Sequence, residues 1–445
     1  MKVSNIGLKS CRINNLDSQF PVQDMLLQTG QVEQFSSGIY AYGHIPFLVK
    51  NKINTIIVDV LTKYDCSYIN LPLLQPENIW IKSGRLEKYV SEDVMFRCST
   101  DKGNYCLAPT AEEASVIFAS SRLMSYKNLP VTFFQIGEKF RNEIRTRGYL
   151  LRGKSFEMMD AYSFGKNKDE LDSQYDKMKK AYMEIFNQIG LDVHPVGADS
   201  GAIGGAKSEE FMCISDIGED NILYDKNTGK LINSELLERE DASKYIKDVY
   251  GIKSLDNLET KKACELGHIF ELEDKYSKSM NATYINENGK EEYYSMGCYG
   301  IGVSRTLALV YENSIVKDDN NKFNGISLPI NLSPYLIYLI VKTDDKDKLD
   351  FATKLYDDLI SKNIKVLYDD RDYISIGAKI KDSKITGVPY LCVLGNTIDN
   401  GYLTVENNKT HVKTDIKVDD FVKCLLRLEG EKDNFKTLEE IVNEL

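Results

Sequence analysis

The sequence predicts an α+β protein in which a larger N-terminal part is followed by a smaller α/β domain. The chain has 445 residues, of which 42% are hydrophobic, enough to fill more than one core and to form two or three domains. Residues 130–165 have the pattern of two strands joined by an arginine-rich loop. After Pro334, apolar runs alternate with helical periods, which is typical of a compact α/β domain with a mainly parallel sheet.

The first long element is a helix, because apolar side chains recur at helical spacing from Phe47 to Tyr64. The run from Ser67 to Leu74 then predicts a strand. Pro72 restricts that strand to the edge or end of a sheet, since proline cannot donate a ladder hydrogen bond. This pair of elements suits either a subunit interface or a core helix packed on a sheet.

The middle of the chain alternates clear and weak patterns. Lys168 to Ile189 predicts an amphipathic helix, whereas residues 215–262 are rich in Lys, Glu, Asp and Asn and indicate an inserted or peripheral segment. Gly267 to Glu273 predicts a strand, and Ala282 to Tyr294 predicts a hairpin that turns at Asn288-Gly289.

Three strands and two helices are expected after Pro334. The strands are Leu336 to Val341, Ile364 to Tyr368 and Pro389 to Gly395, and the helices are Asp347 to Lys362 and Phe421 to Leu428. Residues 430–445 are expected to form a charged tail with some helical period.

Composition narrows the class of protein. A net charge of −11 bears on solubility more than on local grooves, so it does not exclude a nucleic-acid partner. Nine cysteines without a CxxC pair, together with four scattered histidines, predict neither a disulfide framework nor a metal site. The polar start of the chain and the lack of a long uncharged run predict a soluble cytoplasmic protein without a membrane segment.

Residues 148–155 match the phosphate-binding loop G-x-x-x-x-G-K-[ST] literally. That loop works only between an apolar strand and a helix whose backbone N–H groups surround the phosphates. Here the charged stretch from Arg141 to Arg147 precedes the match, and Phe156 to Phe164 after it favours a strand. A P-loop NTPase, which would depend on Lys154, is therefore the weaker interpretation.

The clustered arginines of this region favour a different chemistry. Joining a carboxylate to ATP requires in-line attack on the α-phosphate, so the protein must hold two anions together and neutralise the developing charge. Guanidinium groups suit that task because they stay charged and make paired hydrogen bonds to phosphate. The attacking carboxylate is already ionised, so no catalytic histidine or cysteine is needed.

Six segments resemble those of one family and occur in that family's order. Residues 140–164, FRNEIRTRGYLLRGKSFEMMDAYSF, resemble motif 2 of class II aminoacyl-tRNA synthetases in its bacterial prolyl form. The other segments are GCYGIGVSR (297–305), which resembles motif 3, LAPTAEE (107–113), which is similar to the proline-binding loop, ADSGAIGG (198–205), GHIF (267–270) and DDR…GAK…GVPY (369–390). The chain is thereby identified as a member of the prolyl-tRNA synthetases over nearly its whole length.

The resemblance implies a fold and a reaction. The catalytic domain would be an antiparallel sheet with flanking helices over residues 1–330, with a short insertion at 212–264. An α/β anticodon-binding domain would follow at 335–429, and then the charged tail at 430–445. The enzyme would form prolyl-adenylate from proline and ATP with Mg²⁺, and then transfer proline to tRNA(Pro). Residues 47–74 match motif 1 and imply a homodimer.

The resemblance also implies roles for single residues. Arg141 would bind the ATP α-phosphate and the amino-acid carboxylate, and Glu143 would accept a hydrogen bond from the adenine amino group. Arg152 would reach the γ-phosphate. Phe156 would stack on one side of adenine and Arg305 on the other. Arg141 and Arg305 are the expected catalytic residues.

The amino acid is expected to bind through its secondary ammonium group to Thr110 and Glu112. His268 is either a pocket residue or a buried structural histidine. Where the family has the string SHEF, residues 208–211 are SEEF, so Glu209 would add a negative charge to the pocket. Two alternatives therefore stay open: an enzyme that activates a different small amino acid, and a non-catalytic tRNA-binding or regulatory protein.

Two further regions depart from the family. Lys379 is expected to reach a base or phosphate of the anticodon, although residues 373–376 differ from the family pattern and make the loop one residue longer. About 55 residues separate Phe211 from Gly267, where many relatives carry a much larger editing domain. We therefore expect that this chain does not hydrolyse mischarged tRNA itself.

Overall fold

The computed structural model describes residues 1–10, 19–143, 146, 148–198, 207–255, 258–341, 345–430 and 438–444. These residues divide into two compact units. The first unit takes the described residues of 1–35, 40–53 and 307–445, and the second takes those of 36–39 and 54–306. The division differs from the expected domain boundary near residue 330, because the start of the chain belongs to the unit that contains the C-terminal sheet.

Helices and strands alternate irregularly along the described residues. The α-helices are α1 (Pro21–Gln28), α2 (His44–Lys63), α3 (Glu77–Ser83), α4 (Leu86–Ser91), α5 (Glu112–Ser120), α6 (Lys168–Ile189), α7 (Ala242–Tyr245), α8 (Lys275–Ser279), α9 (Val303–Glu312), α10 (Lys346–Ser361), α11 (Ile376–Ile385), α12 (Val418–Gly430) and α13 (Leu438–Asn443). The strands are β1 (Val32–Ser36), β2 (Ile39–Tyr42), β3 (Ser67–Tyr68), β4 (Leu74–Pro76), β5 (Arg97–Thr100), β6 (Gly103–Leu107), β7 (Val131–Phe140), β8 (Ser155–Gly165), β9 (Val193–Gly197), β10 (Lys207–Ile214), β11 (Asp220–Asp225), β12 (Leu231–Asn233), β13 (Leu258–Glu273), β14 (Thr283–Ile285), β15 (Glu291–Tyr293), β16 (Ser295–Gly302), β17 (Ile315–Lys317), β18 (Phe323–Ile326), β19 (Ile337–Val341), β20 (Val366–Asp369), β21 (Tyr390–Leu394), β22 (Tyr402–Asn407) and β23 (Lys413–Lys417).

The second unit is built on a nine-stranded sheet in the order β10-β9-β12-β11-β13-β16-β8-β7-β3. Its central strands β13, β16, β8 and β7 pair antiparallel. The β3–β7 and β12–β9 pairs are parallel. The expected antiparallel sheet is therefore confirmed, as is the expected pair of strands over residues 130–165.

The strand predicted from Ser67 to Leu74 is much shorter in the structure. β3 ends at Tyr68, and the next strand, β4, begins at Leu74. The amide of Leu71 donates to the Gln135 side chain at 2.8 Å instead of joining a ladder. The chain has therefore left the sheet before it reaches Pro72, which has no N–H to donate to a ladder.

Helix α6 has the bounds that its sequence predicted. Asn167 caps it by accepting from the amide of Glu170, and Gly190 ends it in the left-handed conformation that glycine adopts without strain. Its apolar face is buried against β13, β16 and β8. Burial of each large apolar side chain contributes roughly 1.5–3 kcal/mol, so packing on the sheet is what stabilises the helix.

The segment 215–262, predicted to be inserted or peripheral, widens the sheet. It supplies β11 and β12, and β13 starts at Leu258, well before the expected Gly267. A small apolar core of its own lies beside these strands, formed by Leu223, Ile232, Leu236, Ile246 and Ile252. Short strands with few apolar residues give little periodicity, which is why the sequence did not predict them.

The first unit contains a five-stranded sheet in the order β20-β19-β21-β22-β23. β20, β19 and β21 are parallel to one another, whereas β22 and β23 are antiparallel. The sheet is therefore mixed, not mainly parallel as predicted. The connection from β21 to β22 is too short for a crossover helix, so the strand must return antiparallel.

The N-terminus belongs to this unit because it pairs with the C-terminal sheet. The Met1 ammonium group donates to the Val366 carbonyl at 2.9 Å, and the Ser4 hydroxyl donates to the Asp370 carboxylate at 2.8 Å. Contacts across more than 360 residues of sequence cannot be read from local patterns.

Other predicted features can be compared directly. β14 and β15 form the predicted hairpin, and Gly289 in its turn has a φ of 75°. Each cysteine among the described residues is a free thiol. No helix in the described part of the chain is long and apolar enough to cross a membrane. The segment ADSGAIGG falls almost entirely outside the described residues.

Candidate active site

A cavity of about 210 Å³ opens on one face of the nine-stranded sheet in the second unit. β8 contributes Phe156, Met158 and Asp160, which alternate along the strand and therefore share that face. The expected substrate-binding residues that line the cavity are Thr110, Glu112, Arg141, Glu143, Arg152, Phe156, His268 and Arg305. Except for Glu209, all the residues expected at the substrate site therefore meet in one place.

The connection between β7 and β8 carries Arg141 into the cavity. The Arg141 amide donates to the Lys154 carbonyl at 3.0 Å, so the backbone at the start of the connection is held in place. Nε of Arg141 donates to the Pro109 carbonyl at 3.2 Å. The guanidinium carbon lies 5.4 Å from the centre of the Phe156 ring. Arg141 thus lies between the Thr110–Glu112 loop and the ring expected to stack on adenine.

Arg152 is paired with two carboxylates. Its Nε lies 2.9 Å from Oε2 of Glu143, and its Nη1 lies 3.7 Å from Oε2 of Glu219. The Arg152 side chain is 47% exposed. Exposed ion pairs contribute little net free energy, so an anionic ligand can replace these carboxylates at small cost.

The literal P-loop match does not have P-loop geometry. Residues Tyr149–Leu151 form a single 3₁₀ turn, and Leu150 and Leu151 are buried. The next element is the strand β8, which begins at Ser155, and not a helix. Without a helix N-terminus there is no row of N–H groups to surround a phosphate, and the rejection of the P-loop is confirmed.

Arg305, at the start of α9, is held by Glu265 of β13. Nη1 of Arg305 donates to the Glu265 carbonyl at 2.5 Å and to its carboxylate at 3.1 Å, and Nε donates to the Leu151 carbonyl at 3.0 Å. Burial would raise the pKa of Glu265, but the His268 hydrogen bond and the Arg305 charge lower it to about 2. Sequence reasoning missed Glu265, although it stands two residues before the GHIF segment.

The amino-acid end of the cavity centres on Glu112, which is 0% exposed. The Thr110 hydroxyl lies 2.9 and 2.8 Å from its two carboxylate oxygens, and Nη1 of Arg85 donates to Oε2 at 2.8 Å. Burial would raise the pKa of Glu112, but the charge and hydrogen bond of Arg85 and the Thr110 hydrogen bond hold it below its ordinary value. The carboxylate is therefore anionic at neutral pH.

Cys298 of β16 also reaches this carboxylate, with Sγ 3.3 Å from Oε1 of Glu112. Burial, followed by the Glu112 charge, raises the pKa of the Cys298 thiol well above its ordinary value. The thiol is therefore neutral and packs against the site.

Asp160 forms a second buried charge pair at the cavity floor, and sequence reasoning did not single it out. Its Oδ1 lies 2.6 Å from Nζ of Lys139, and its Oδ2 accepts from Gln135 and Tyr162 at 2.8 and 2.9 Å. The Tyr162 hydroxyl in turn accepts from the amide of Ala111 at 3.0 Å. This network connects the strands β7 and β8 to the loop that carries Thr110 and Glu112.

The expectation that Glu209 lines the amino-acid pocket is wrong. Its carboxylate accepts from the Tyr175 hydroxyl at 3.0 Å and from Nζ of Lys179 at 2.7 Å, both on α6. Successive residues of a strand point to opposite faces, so the neighbouring Glu210 points to the other side. There Glu210 accepts from Asn233 at 2.8 Å and lies 3.7 Å from Nδ1 of His268.

His268 is a residue of the cavity wall, which settles the alternative left open by its sequence. Its Nδ1 lies 3.0 Å from the Glu265 carboxylate, and its ring stacks on Phe270 with the ring centres 3.8 Å apart. Burial, followed by the charge of Glu265, raises the pKa of Glu210 to about 8. Glu210 is therefore mostly protonated at neutral pH.

Glu210, Glu265 and His268 bring one possible metal-ligand atom each within 4.8 Å of one another, a grouping that the scattered histidines did not predict. We assign no metal to it, since Glu265 already accepts hydrogen bonds from Arg305 and His268 and Glu210 is close to neutral.

The expectation that Lys379 contacts the anticodon is also wrong for this geometry. Lys379 of α11 is 1% exposed, and its Nζ donates to the Asp369 carbonyl at 3.1 Å. Ser375 caps α11, and one turn later Lys379 faces the core at the end of β20. Beside it, Arg371 pairs with Asp369 and Asp382 at 2.6 and 2.8 Å.

Family models match both parts of the chain. The model of the tRNA synthetase class II core domain (G, H, P, S and T) matches residues 96–314, and the model of the anticodon binding domain matches residues 336–428. The solved prolyl-tRNA synthetase of Cryptosporidium parvum in complex with L-proline and AMP has the same fold, with a TM-score of 0.71 at 15% identity. That comparison covers 99% of this chain and 79% of the other.

Curated relatives align along almost the entire chain. The proline--tRNA ligase of Caldicellulosiruptor saccharolyticus is 28% identical over 575 aligned positions, covering 97% of this chain and 99% of that protein. The proline--tRNA ligase of Rickettsia bellii is 33% identical over 424 residues, covering 94% of this chain and 96% of that protein. The chain therefore belongs to the proline--tRNA ligases, a family of class II tRNA synthetases.

Proposed function

We propose that this cavity is where the chain activates proline with ATP and transfers it to tRNA(Pro), with Arg141 and Arg305 as the catalytic residues. The observation that carries the proposal is the distribution of charge in the cavity. A buried anionic carboxylate, Glu112, lies at one end, and the guanidinium groups of Arg141, Arg152 and Arg305 lie among the other lining residues, where Arg152 and Arg305 are paired with the carboxylates of Glu143 and Glu265. A zwitterionic amino acid and a polyphosphate match that distribution.

In the first step, a carboxylate oxygen of proline attacks the α-phosphorus of ATP. The bond from the α-phosphorus to the bridging oxygen breaks, and pyrophosphate leaves with the electron pair. Arg141 would hold both reactants, because its side chain donates a hydrogen bond to the Pro109 carbonyl beside the amino-acid loop and its guanidinium group also faces the Phe156 ring. Bringing the two anions together in a fixed orientation is the main source of acceleration.

Phe156 and Arg305 would hold adenine between a ring and a guanidinium plane. For Arg152 to reach the γ-phosphate, it must exchange Glu143 and Glu219 for phosphate oxygens. Release from Arg152 leaves the Glu143 carboxylate able to accept from the adenine amino group. Breaking the Arg152–Glu143 ion pair would thus free Arg152 to bind the γ-phosphate and Glu143 to bind adenine.

Mg²⁺, which the family implies, would be held chiefly by the oxygens of the ATP phosphates, since Glu265 already accepts from Arg305 and His268 and Glu143 is assigned to adenine. When bound, it would neutralise phosphate charge.

At the other end, Thr110 and Glu112 would receive the two N–H donors of the proline ammonium, and the ring would pack toward His268 and Phe270. In the second step, a terminal ribose hydroxyl of tRNA attacks the adenylate carbonyl, and AMP leaves. Because Glu209 lies outside the pocket, it no longer argues for an amino acid with an extra cationic group.

The direct test is amino-acid-dependent exchange of pyrophosphate into ATP, run across all twenty amino acids. We expect proline to give the highest kcat/KM. If another amino acid gives the highest kcat/KM, that amino acid is the substrate in place of proline. If no amino acid supports exchange, the non-catalytic alternative is favoured.

We propose that the α/β domain contacts the anticodon through Tyr373, since Lys379 is buried. Tyr373 is 78% exposed in the loop before α11, and exposed aromatic rings stack on single-stranded bases. Tyr373→Ala should raise the KM for tRNA roughly five- to tenfold, at the lower end of what a stacked base contributes, without changing pyrophosphate exchange. Tyr402→Ala, which removes a less exposed tyrosine of the same unit, is the matched control.

We propose that this enzyme lacks editing in cis. The insertion at 212–264 is used to form β11, β12 and the start of β13, and the alignment with the Caldicellulosiruptor relative runs to 575 positions for a chain of 445. Purified protein should leave alanyl-tRNA(Pro) intact. Rapid deacylation would contradict the proposal.

We also propose a homodimer in the cytoplasm. In the second unit, Tyr68, Leu73 and Leu74 are exposed apolar residues in the segment that matches motif 1. Light scattering should give twice the mass of one chain, and Leu74→Lys should weaken association. A monomeric wild-type protein would contradict it.

A further inference from the structure

Behind the amino-acid end of the cavity lies a buried arginine that the family motifs do not include. Arg85, in the turn between α3 and α4, is buried and faces α5. Its Nη1 donates to Oε2 of Glu112 at 2.8 Å and to Oε1 of Glu113 at 3.1 Å. One guanidinium group therefore serves two buried carboxylates, of which Glu112 lines the cavity.

Three aromatic rings enclose the Arg85 guanidinium. Its central carbon lies 4.9, 4.7 and 5.2 Å from the ring centres of Trp80, Tyr89 and Tyr276. Cation–π attraction is strongest where the cation is removed from water, as it is here. The rings leave the guanidinium little freedom to turn, so the direction of its hydrogen bond to Glu112 is fixed.

The partners of Glu112 distinguish its two oxygens. Oε2 accepts from Arg85, whereas Oε1 has the thiol of Cys298 at 3.3 Å, which is a weak donor. The single hydroxyl proton of Thr110 is shared between the two oxygens. Oε1 therefore keeps the greater capacity to accept from a ligand.

The two carboxyl groups beside Arg85 differ in charge. Burial raises the pKa of Glu113 and Arg85 offsets only part of that rise, so the fold favours its neutral form, whereas Glu112 is held ionised. Glu112 is therefore the anionic group of this cluster, and an ammonium group that binds at Oε1 would meet that charge.

We propose that Arg85 is a positioning residue for the amino-acid substrate: by occupying Oε2 of Glu112 it presents Oε1 to the substrate ammonium group. This role rests on the proposed function, since it assumes that the ammonium group of the amino acid binds at Glu112. It assigns to Arg85 a part in the binding of the amino acid and no part in nucleotide binding.

The test is Arg85→Lys, which keeps the positive charge but replaces a rigid fork by a single ammonium group that cannot serve both carboxylates in the same geometry. The KM for proline in pyrophosphate exchange should rise about tenfold, as expected for a weakened charged hydrogen bond, while the KM for ATP stays within about twofold. Arg85→Gln should raise the KM for proline further. The KM of Arg85→Lys should therefore lie between those of the wild type and of Arg85→Gln.

A matched control exists in the same unit. Arg97 pairs with both oxygens of Glu77 at 2.5 and 2.9 Å, and neither residue lines the cavity. Arg97→Lys should leave both KM values unchanged. If the Gln variant does not fold, the Lys variant and this control still decide the question.

Trp80 provides a second readout, because it is the single tryptophan of the chain and lies against Arg85. Proline added to the wild-type protein should change its emission, and Arg85→Lys should shift the midpoint to higher proline. A proline KM within twofold of wild type in Arg85→Lys would overturn the role of Arg85 alone. Wild-type protein without proline-dependent exchange would overturn the proposed function instead.

Discussion

The two ends of the cavity are built differently. At the amino-acid end, Glu112 is completely buried and fixed by Arg85 and Thr110. At the nucleotide end, the Arg152 side chain is 47% exposed and is paired with the carboxylates of Glu143 and Glu219, which a polyphosphate can replace. A buried charge pair cannot be exchanged without a large desolvation cost, whereas an exposed pair can. We therefore expect the amino-acid end to be preset and the nucleotide end to rearrange when ATP binds.

The largest effect is expected at Arg141, which lies between the two ends. Arg141→Ala should lower kcat/KM in pyrophosphate exchange by about a thousandfold, because it removes a charged donor aimed at the reacting phosphate. The melting temperature should change little, since among the described residues the Arg141 side chain donates to a single carbonyl, that of Pro109. Arg122→Ala, at an exposed position of the same unit, is the control. Normal exchange in the Arg141 variant would remove the assignment of the site.

A second substitution tests the preset end. Glu112→Gln keeps the shape of the side chain but removes the negative charge that lies between Arg85 and the expected position of the substrate ammonium group. The KM for proline should rise roughly a hundredfold, since removing one partner of a buried ion pair is costly, and the KM for ATP should stay nearly constant. Kinetics with each substrate varied in turn would measure both. Equal effects on the two KM values would contradict the difference between the ends.

A third substitution tests the exchangeable end. Arg152→Ala should raise the KM for ATP about tenfold or less, because phosphate contacts at an exposed arginine are screened by solvent. Lys154→Ala should have an even smaller effect, since Lys154 is not part of a phosphate loop. Complete loss of activity in the Lys154 variant would support the P-loop interpretation, although a strand and not a helix begins at Ser155.

Elements stabilised by contacts between residues close in sequence were predicted, and those that depend on contacts distant in sequence were not. Helix α6 was predicted with its bounds because its period and its two caps are local to residues 167–190. β11 and β12 were not predicted, since their stability comes from pairing with strands distant in sequence. The predicted strand also ends early, at Tyr68, and Leu71 donates to a side chain 64 residues away.

The site shows the same limit. Arg141, Glu143 and Arg305 stand in motifs and could be predicted from them. Which of the adjacent Glu209 and Glu210 lies on the same face as His268 depends on the register of β10, and a shift of one residue reverses the answer. Arg85 contacts Glu112, which is 27 residues away in sequence, and no local pattern predicts that contact.

The smallest expected effect separates the adjacent glutamates of β10. The pKa of Glu210 is raised from 4.5 to about 8, so the folded protein favours its neutral form. Below pH 4.5 the carboxyl is neutral in both the folded and the unfolded chain and costs nothing. As the pH rises toward 8, the unfolded chain loses this proton while the folded protein retains it, and stability falls. Glu210→Gln imitates the neutral form and should stabilise the fold.

The gain in stability from Glu210→Gln should increase by on the order of 1 to 3 kcal/mol between pH 5 and pH 8, and melting temperatures at both pH values would measure it. Glu209→Gln is the matched control, because it loses the partly buried ion pair with Lys179 and should lower the melting temperature slightly at both pH values. Its KM for proline should equal that of the wild type. A raised KM in Glu209→Gln, or a gain in Glu210→Gln that does not depend on pH, would mean that the two carboxylates have exchanged faces.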